Sequence, residues 1–494
     1  MPRRPLLLTA WALLFGTCTP LAGQGGLARR VDRVLDQPPF DRATWGVVLM
    51  DTTGRVLYQR NGDRLHVPAS NTKLVVAATA SALLSPDFTV TTDVYGTGAI
   101  VDGVLQGALV IHGGGDPTFS DRCYAVDTLA LGACDWLWSR MGALADSIAA
   151  RGIRTIAGPI VGDGSYFEAT RVHPAWEAYD LTWWYAAPVT ALGFNDNSIN
   201  ARYRPGPRVG APPIVAFTPD LGTFLFENRA VTTDSGSDAT FDFFRDDARN
   251  MVWADGALPV NRDWRTEYFA LPDPNLYFAA ALRAALAARG IAVTGPTLGT
   301  SDSARDEACR TICPPLVRFA SRPLRDWIFP ILNTSQNWFA EMLLKQLGAV
   351  VRGAGSWEAG LAVERRFLID SVGIDSTAFD LSDGSGLSSG NLVAPRAFAQ
   401  LLAYMWRHPH RDTFLAGLPR SGQVGSLRTR FIGTPLEGRV VAKTGAITHV
   451  NTLSGYIERE RGGPLVFSVM VNHRTAPYAE TLAQIDSVVV ELGR

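Results

Sequence analysis

The stretch PASNTKLVVAATASALL, residues 68–84, decides how this chain is read. Pro68, Ala69 and Ser70 open a segment whose residues after Lys73 leave almost no polar face. That pattern predicts a buried helix rather than an amphipathic one. Ser70 and Lys73 stand three apart, and residues three apart on a helix share a face. A serine hydroxyl is a weak nucleophile until a base takes its proton. A lysine can be that base once burial lowers its pKa, and the apolar segment supplies the burial. Ser70 also falls in the first turn, where free N–H groups and the helix dipole favour a developing oxyanion. Taken alone, Ser-x-x-Lys is a weak pattern that a capped helix with a solvated lysine explains as well.

Upstream, WGVVLMDTTGRVLYQ (45–59) reads as two strands around Asp51-Thr52-Thr53-Gly54, a hairpin signal. At the other end, residues 438–443, 450–457 and 464–472 read as strands. Residues 475–492 read as a closing helix with Leu482, Ile485, Val489 and Leu492 on one face. Both chain ends therefore build one α/β domain. Residues 92–320 differ, with short β-like runs, many Gly and Pro, and one helical segment at 141–151. They read as an insertion of β-rich modules. His112-Gly113-Gly114-Gly115-Asp116-Pro117 is a tight turn; it lacks the Lys-Ser/Thr of a phosphate loop.

Two further motifs follow in order. Ser335-Gln336-Asn337 precedes a helical run beginning at Trp338, so a hydroxyl and an amide meet at a helix start. The hydroxyl can relay a proton and the amide can hold a substrate amide, although helix capping explains either residue alone. Lys443-Thr444-Gly445 ends an apolar strand. There a cation and a hydroxyl can take a carboxylate, and the glycine lets a substrate backbone lie close. Ser-x-x-Lys, Ser-x-Asn and Lys-Thr-Gly in this order, each on its expected element, are the set found in β-lactamases and penicillin-binding proteins.

With PASNTKL (68–74), GGGDPT (113–118), GDGSYF (162–167), ALGFN (191–195) and DGSGLS (383–388), the chain resembles the low-molecular-mass class C penicillin-binding proteins. These are D-alanyl-D-alanine carboxypeptidase/endopeptidases, and the resemblance covers nearly all of the chain. It implies an α/β (α+β) penicillin-recognising, transpeptidase-like domain: a five-stranded antiparallel sheet flanked by helices, with two inserted β-rich domains. The catalytic domain would comprise residues 27–91 and 316–494, and the inserted domain II residues 92–115 and 191–315. Domain III, residues 116–190, would nest within domain II. Class A β-lactamases lack such an insertion, which disfavours them.

The resemblance also implies roles. Ser70 would be acylated by a D-Ala-D-Ala end or a D-amino-acid cross-link, with Lys73 as base and Ser335 passing a proton to the leaving amine. Asn337, Lys443, Thr444 and Gly445 would bind substrate, and the N–H groups of Ser70 and Ala446 would form the oxyanion hole. Asp163 would face the free end of the peptide side chain. No metal or organic cofactor is implied. The partners would be peptidoglycan peptides and β-lactams as acylating inhibitors, and the reading allows peripheral membrane association. Three positions depart from the family: Gln336 where Asp is common, Ala446 where Thr is frequent, and Ser389 where an Arg often follows DGSGLS. The last predicts weak preference among peptide side chains.

Composition sets the outer limits. The chain has 494 residues, 47% hydrophobic and 19% charged, which suits more than one globular domain. A formal net charge of −1 without a basic stripe argues against a nucleic-acid partner. Arg3, Arg4, the apolar run Leu6 to Phe15 and the small residues Ala22-Gly23 read as a cleaved export signal, residues 1–23. The enzyme is then expected in the periplasmic or cell-wall space, and Cys18 is expected to leave with the leader rather than carry lipid. Cys123 with Cys134, and Cys309 with Cys313, are close pairs, which in an exported protein read as disulfides. Two reduced pairs are the alternative; no histidine clusters with them to make a zinc site.

Two rival readings remain. A catalytically weak β-lactam-sensing or wall-binding module would keep Ser-x-x-Lys, but such sensors carry a membrane span. Gly386-Leu387-Ser388-Ser389-Gly390 fits the nucleophile elbow of α/β-hydrolases, with Ser388 as nucleophile; that elbow needs a buried strand before it, and a polar loop stands there.

Overall fold

The computed structural model describes residues 24–120, 137–302 and 307–494. The export signal and the pair Cys123–Cys134 lie outside them.

Asp51 sets the first hairpin. Its carboxylate accepts the N–H groups of Thr53 and Arg55, both at 3.0 Å, and Gly54 takes the left-handed backbone (φ 97°) that closes the turn. Strands Thr44–Asp51 and Val56–Arg60 thus pair antiparallel. Thr44–Asp51 pairs on its other side with Leu465–Asn472, from the far end of the chain. The sheet runs Val56–Arg60, Thr44–Asp51, Leu465–Asn472, Val450–Ile457, Val440–Ile447, with every pair antiparallel. Alternation along its strands sends Trp45, Val47 and Leu49 to one core with helices Gln24–Leu35 and Tyr478–Gly493. Val48 and Met50 go to the other core, with helices Lys73–Leu83, Leu324–Leu332, Asn337–Arg352 and Pro395–Arg407.

Helix Lys73–Leu83 is buried from Lys73 through Ser81, in accord with its uniform apolarity. Ser70 does not lie on it but on the preceding 3-10 turn, Ala69–Thr72. Lys-Thr-Gly lies inside strand Val440–Ile447, longer than the expected 438–443. That strand is at the sheet edge.

The insertion leaves and rejoins the catalytic domain through neighbouring strands. Thr91–Gly96 pairs with Val317–Ala320, so the long excursion closes on itself. These strands belong to a second five-stranded sheet, ordered Thr297–Thr300, Ile160–Asp163, Leu109–His112, Thr91–Gly96, Val317–Ala320. Its register corrects the expected nested unit at 116–190. Ile160–Asp163 pairs in parallel with both Leu109–His112 and Thr297–Thr300, so a boundary at 116–190 cuts this sheet. A separate set of small sheets is instead built from strands between Ser198 and Ala270.

Cys313 is a half-buried thiol that is free rather than in the expected disulfide. Cys309 sits in helix Glu307–Ile312, with Cys313 just beyond it.

Candidate active site

Three elements from distant parts of the chain converge on Ser70. Lys73, at the first position of its helix, is fully buried. Its Nζ lies 2.9 Å from Ser70 Oγ and donates to Asn337 Oδ1 at 2.6 Å and to the Ser385 carbonyl at 2.7 Å. Burial lowers the Lys73 pKa to about 7, against an upward pull from Asp383 and Glu341. A neutral amine has two protons. Asn337 and Ser385 accept both, which leaves the nitrogen lone pair for the Ser70 hydroxyl.

Ser335 has a left-handed backbone (φ 62°) at the turn before helix Asn337–Arg352. The turn is held by Gln336, whose amide donates to Asp196 at 2.8 Å and caps Trp338 N. Gln336 thus has a structural job facing the insertion, away from Lys73. Ser335 Oγ accepts from Lys443 Nζ at 2.8 Å. Lys443 is buried, and burial followed by the nearby Lys73 charge holds its pKa well below the ordinary lysine range. Thr444 donates to Ser426 Oγ at 2.8 Å. Gly445 permits contact between strand and the Ser70 turn: a Cβ there would stand 2.2 Å from Thr452 Oγ1, 2.8 Å from Pro68 O and 3.0 Å from Ser70 N.

A cavity of about 400 Å³ opens over Ser70, with Asn337, Tyr185 and Ala446 in its wall. Glu177, Asp180, Ser389 and Thr448 also line it. Among the described residues no lysine or arginine lines this cavity. Asp180 accepts from Tyr185 OH at 3.0 Å, and burial together with the Glu177 charge pushes its carboxyl up.

The structure brings together Ser70, Lys73, Ser335, Asn337, Lys443, Thr444, Gly445 and Ala446. Asp163 does not join them. It is fully buried in the inserted sheet, against His112 Nδ1 at 2.8 Å and Arg310 at 2.6 Å, and it accepts Ser165 N. Burial pushes its carboxyl up, but hydrogen bonds from His112 and Ser165 outweigh that and hold it below the ordinary value. The acids that reach the cavity are Glu177 and Asp180. Nothing in their sequence neighbourhood marks them; only the folding of loop 177–185 over the site does.

Sequence reading also missed the support behind Lys73. Glu341, one turn along the helix from Asn337, is buried and accepts Ser385 N at 2.7 Å, Gly384 N at 3.2 Å and Trp357 Nε1 at 2.7 Å. Asp383 accepts Gly386 N and Ser388 N, both at 2.7 Å, and Trp176 Nε1 at 3.0 Å. The two carboxylates shape the DGSGLS loop that offers its carbonyl to Lys73. Gly386 in that loop has φ 78° and packs directly on the Ala69 carbonyl. Ser388 is buried, its Oγ accepting from Gly390 N, on a loop between the paired short strands Phe379–Asp380 and Leu392–Val393. A hydroxyl so enclosed and placed is no nucleophile elbow, and that reading fails.

Fold and serine–lysine centre define the class: a penicillin-recognising serine enzyme. Residues 27–492 match the D-Ala-D-Ala carboxypeptidase 3 (S13) family, and the chain belongs to that family of hydrolases. It is 32% identical over 497 residues to the D-alanyl-D-alanine carboxypeptidase of Actinomadura sp. (strain R39), covering 97% of this chain and 88% of that protein. It is 25% identical over 433 residues to the D-alanyl-D-alanine carboxypeptidase DacB of Haemophilus influenzae, covering 85% of this chain and 83% of that one. The crystal structure of penicillin binding protein 4 (dacB) from the same organism superposes with a TM-score of 0.79 at 23% identity, over 94% of this chain and 97% of that chain. The same protein complexed with a β-lactam gives 0.73.

Proposed function

We propose that Ser70 is the nucleophile of a D-Ala-D-Ala carboxypeptidase and D,D-endopeptidase acting on peptidoglycan peptides, with Lys73 as its base. One observation carries the assignment: the buried Lys73 amine has both protons taken by carbonyl oxygens and stands 2.9 Å from Ser70 Oγ. Ser70 Oγ attacks the carbonyl of the penultimate D-Ala while Lys73 takes its proton. The N–H groups of Ser70 and Ala446 stabilise the tetrahedral oxyanion. Collapse expels the terminal amine, protonated through Ser335, and Lys443 and Thr444 hold the substrate carboxylate. Asn337 offers a remaining amide proton to the substrate backbone, which can lie along the edge strand Val440–Ile447. Water then releases the acyl group. Carboxypeptidase and endopeptidase action share this acyl-enzyme and differ only in the leaving amine. A β-lactam acylates the same serine and leaves slowly.

Such a substrate lies outside the cytoplasmic membrane, which supports an exported, periplasmic or wall-space enzyme. Among the described residues no helix is long and apolar enough to cross a membrane. The catalytic domain is read as 27–91 with 316–494, and the nested unit is redrawn to about 198–270 on its sheet pairing. Glu177 and Asp180, in a pocket that holds Ser389 and no Lys or Arg among its lining residues, favour a peptide side chain that ends in an amine without a carboxylate.

The test is covalent labelling with a fluorescent penicillin. Ser70→Ala is expected to lose the label while retaining wild-type circular dichroism, and Lys73→Ala to acylate far more slowly. A Ser70→Ala protein that labels normally overturns the assignment. Label that persists after washing in wild type, with no D-Ala released from peptide, would favour the sensing module.

A further inference from the structure

We infer that a second cavity beside the catalytic pocket, walled by Tyr179, Trp183, Trp184 and Phe241, is a saccharide subsite that takes an N-acetylated amino sugar of the glycan strand bearing the peptide. The inference rests on the proposed peptidoglycan substrate and extends it to a part of the molecule that the acylation chemistry does not use.

The cavity measures about 440 Å³, within the roughly 300–1,000 Å³ range of small-ligand sites. Loop 179–185 separates it from the catalytic pocket. Tyr185 lines both cavities; Asp180 lines the catalytic pocket, while Tyr179, Trp183 and Trp184 line the second. The two cavities therefore adjoin at Tyr185. Its opposite wall comes from strands Ser198–Arg204, Asp242–Asp246 and Arg265–Ala270 of the insertion.

The chemistry of the lining selects the ligand. Aromatic side chains ordinarily bury their faces, yet Tyr179 is 59% exposed and Trp183, Trp184 and Phe241 are only half-buried. The rings are held in place: Tyr179 OH donates to Asp242 at 3.3 Å, and Trp184 meets Tyr185 edge to face at 5.9 Å. Asp242, Glu267 and Arg265 also line the cavity. Flat rings beside carboxylates and a guanidinium match a pyranose, which has C–H faces for aromatic contact and hydroxyl and acetamido groups for hydrogen bonds. An aliphatic lipid would desolvate the two carboxylates and offer them no hydrogen bond in return, at a cost.

Two readouts test this on the intact enzyme. The first compares kcat/KM on a D-Ala-D-Ala-ended peptide with the same peptide carried on its disaccharide. Wild type is expected to favour the glycosylated form by about tenfold, the scale of one good aromatic contact. Trp183→Ala is expected to lose that preference with the free-peptide value kept, and Glu267→Gln, a gentler change, to reduce it. Equal values in wild type, or variants that lose both substrates alike, overturn the subsite. The second readout needs no turnover. An N-acetylglucosamine disaccharide should change tryptophan fluorescence saturably in wild type and not in Trp183→Ala; no change in wild type at millimolar sugar overturns the inference. Sugar binding without hydrolysis of either peptide would instead count against the proposed activity and leave the subsite standing.

Discussion

Glu341 and Lys73 are joined through a single residue: Glu341 accepts the Ser385 N–H at 2.7 Å, and Lys73 donates to the Ser385 carbonyl at 2.7 Å. Glu341 therefore positions one of the two acceptors that orient the Lys73 lone pair. Burial pushes its own carboxyl up to about 7, and in its ionised form its charge raises the lysine's proton affinity.

Replacing it separates the two effects. In Glu341→Gln the lost charge lets the Lys73 pKa fall further, so the acid limb of the acylation profile moves to lower pH. The amide group also faces N–H donors that the carboxylate accepted, and the plateau rate drops by about tenfold or more. Stopped-flow acylation by a penicillin between pH 5 and 9 reads both. A limb that stays or moves up removes Glu341 from this role.

Lys73 makes both rate and stability depend on pH. The base form exists above its folded pKa of about 7, so acylation rises through neutrality and levels above it. The folded pKa is depressed below the unfolded value. Between about 7 and 10.5 the unfolded chain binds the proton and the folded one does not, so stability rises with pH there. Relative to Lys73→Met, wild type should gain about 2 kcal/mol between pH 7 and pH 9. Paired urea melts at the two values check the sign.

Gly445→Ala drives a methyl into Thr452 Oγ1 and the Pro68–Ser70 turn. The edge strand must retreat from the nucleophile. Acylation is expected to fall at least tenfold, with a stability loss of about 1–3 kcal/mol. Penicillin labelling rates and thermal melts report the two separately, and wild-type labelling would mean that the strand yields freely.

Ser389 lines the same pocket as Glu177 and Asp180. Peptides whose side chain ends in a bare amine should be hydrolysed faster than those ending in a free amino acid. Ser389→Arg adds the missing cation and is expected to shift the kcat/KM ratio toward the carboxylate-bearing peptide by about tenfold. Competition between the two peptides, followed by mass spectrometry, gives the ratio directly. A wild-type preference for the free amino-acid end would contradict the charge argument.

The catalytic half was legible because its signals are local. Apolar runs, a turn at Asp51–Gly54 and three short motifs each reflect forces acting within a few residues. The boundaries inside the insertion were not legible, because parallel pairing of Ile160–Asp163 with Leu109–His112 and Thr297–Thr300 leaves no mark in any one strand. Asp163 was misplaced for the same reason. Its sequence shows an acid in a polar turn, while its partners His112 and Arg310 come from elsewhere in the chain.

Ser-x-x-Lys in residues 68–84, read with Ser335-Gln336-Asn337 and Lys443-Thr444-Gly445, was enough by itself to point to the proposed serine–lysine acyl-transfer centre on an α/β domain made from both chain ends. Motif chemistry survives in sequence because each motif is contiguous. Only the tertiary structure decided that Lys73 is buried with both its protons already accepted, that Glu341 stands behind it, and that Glu177 and Asp180 line one pocket with Ser70 and Ser389. Those properties depend on desolvation and on contacts between residues far apart in the chain, and neither exists until the chain has folded.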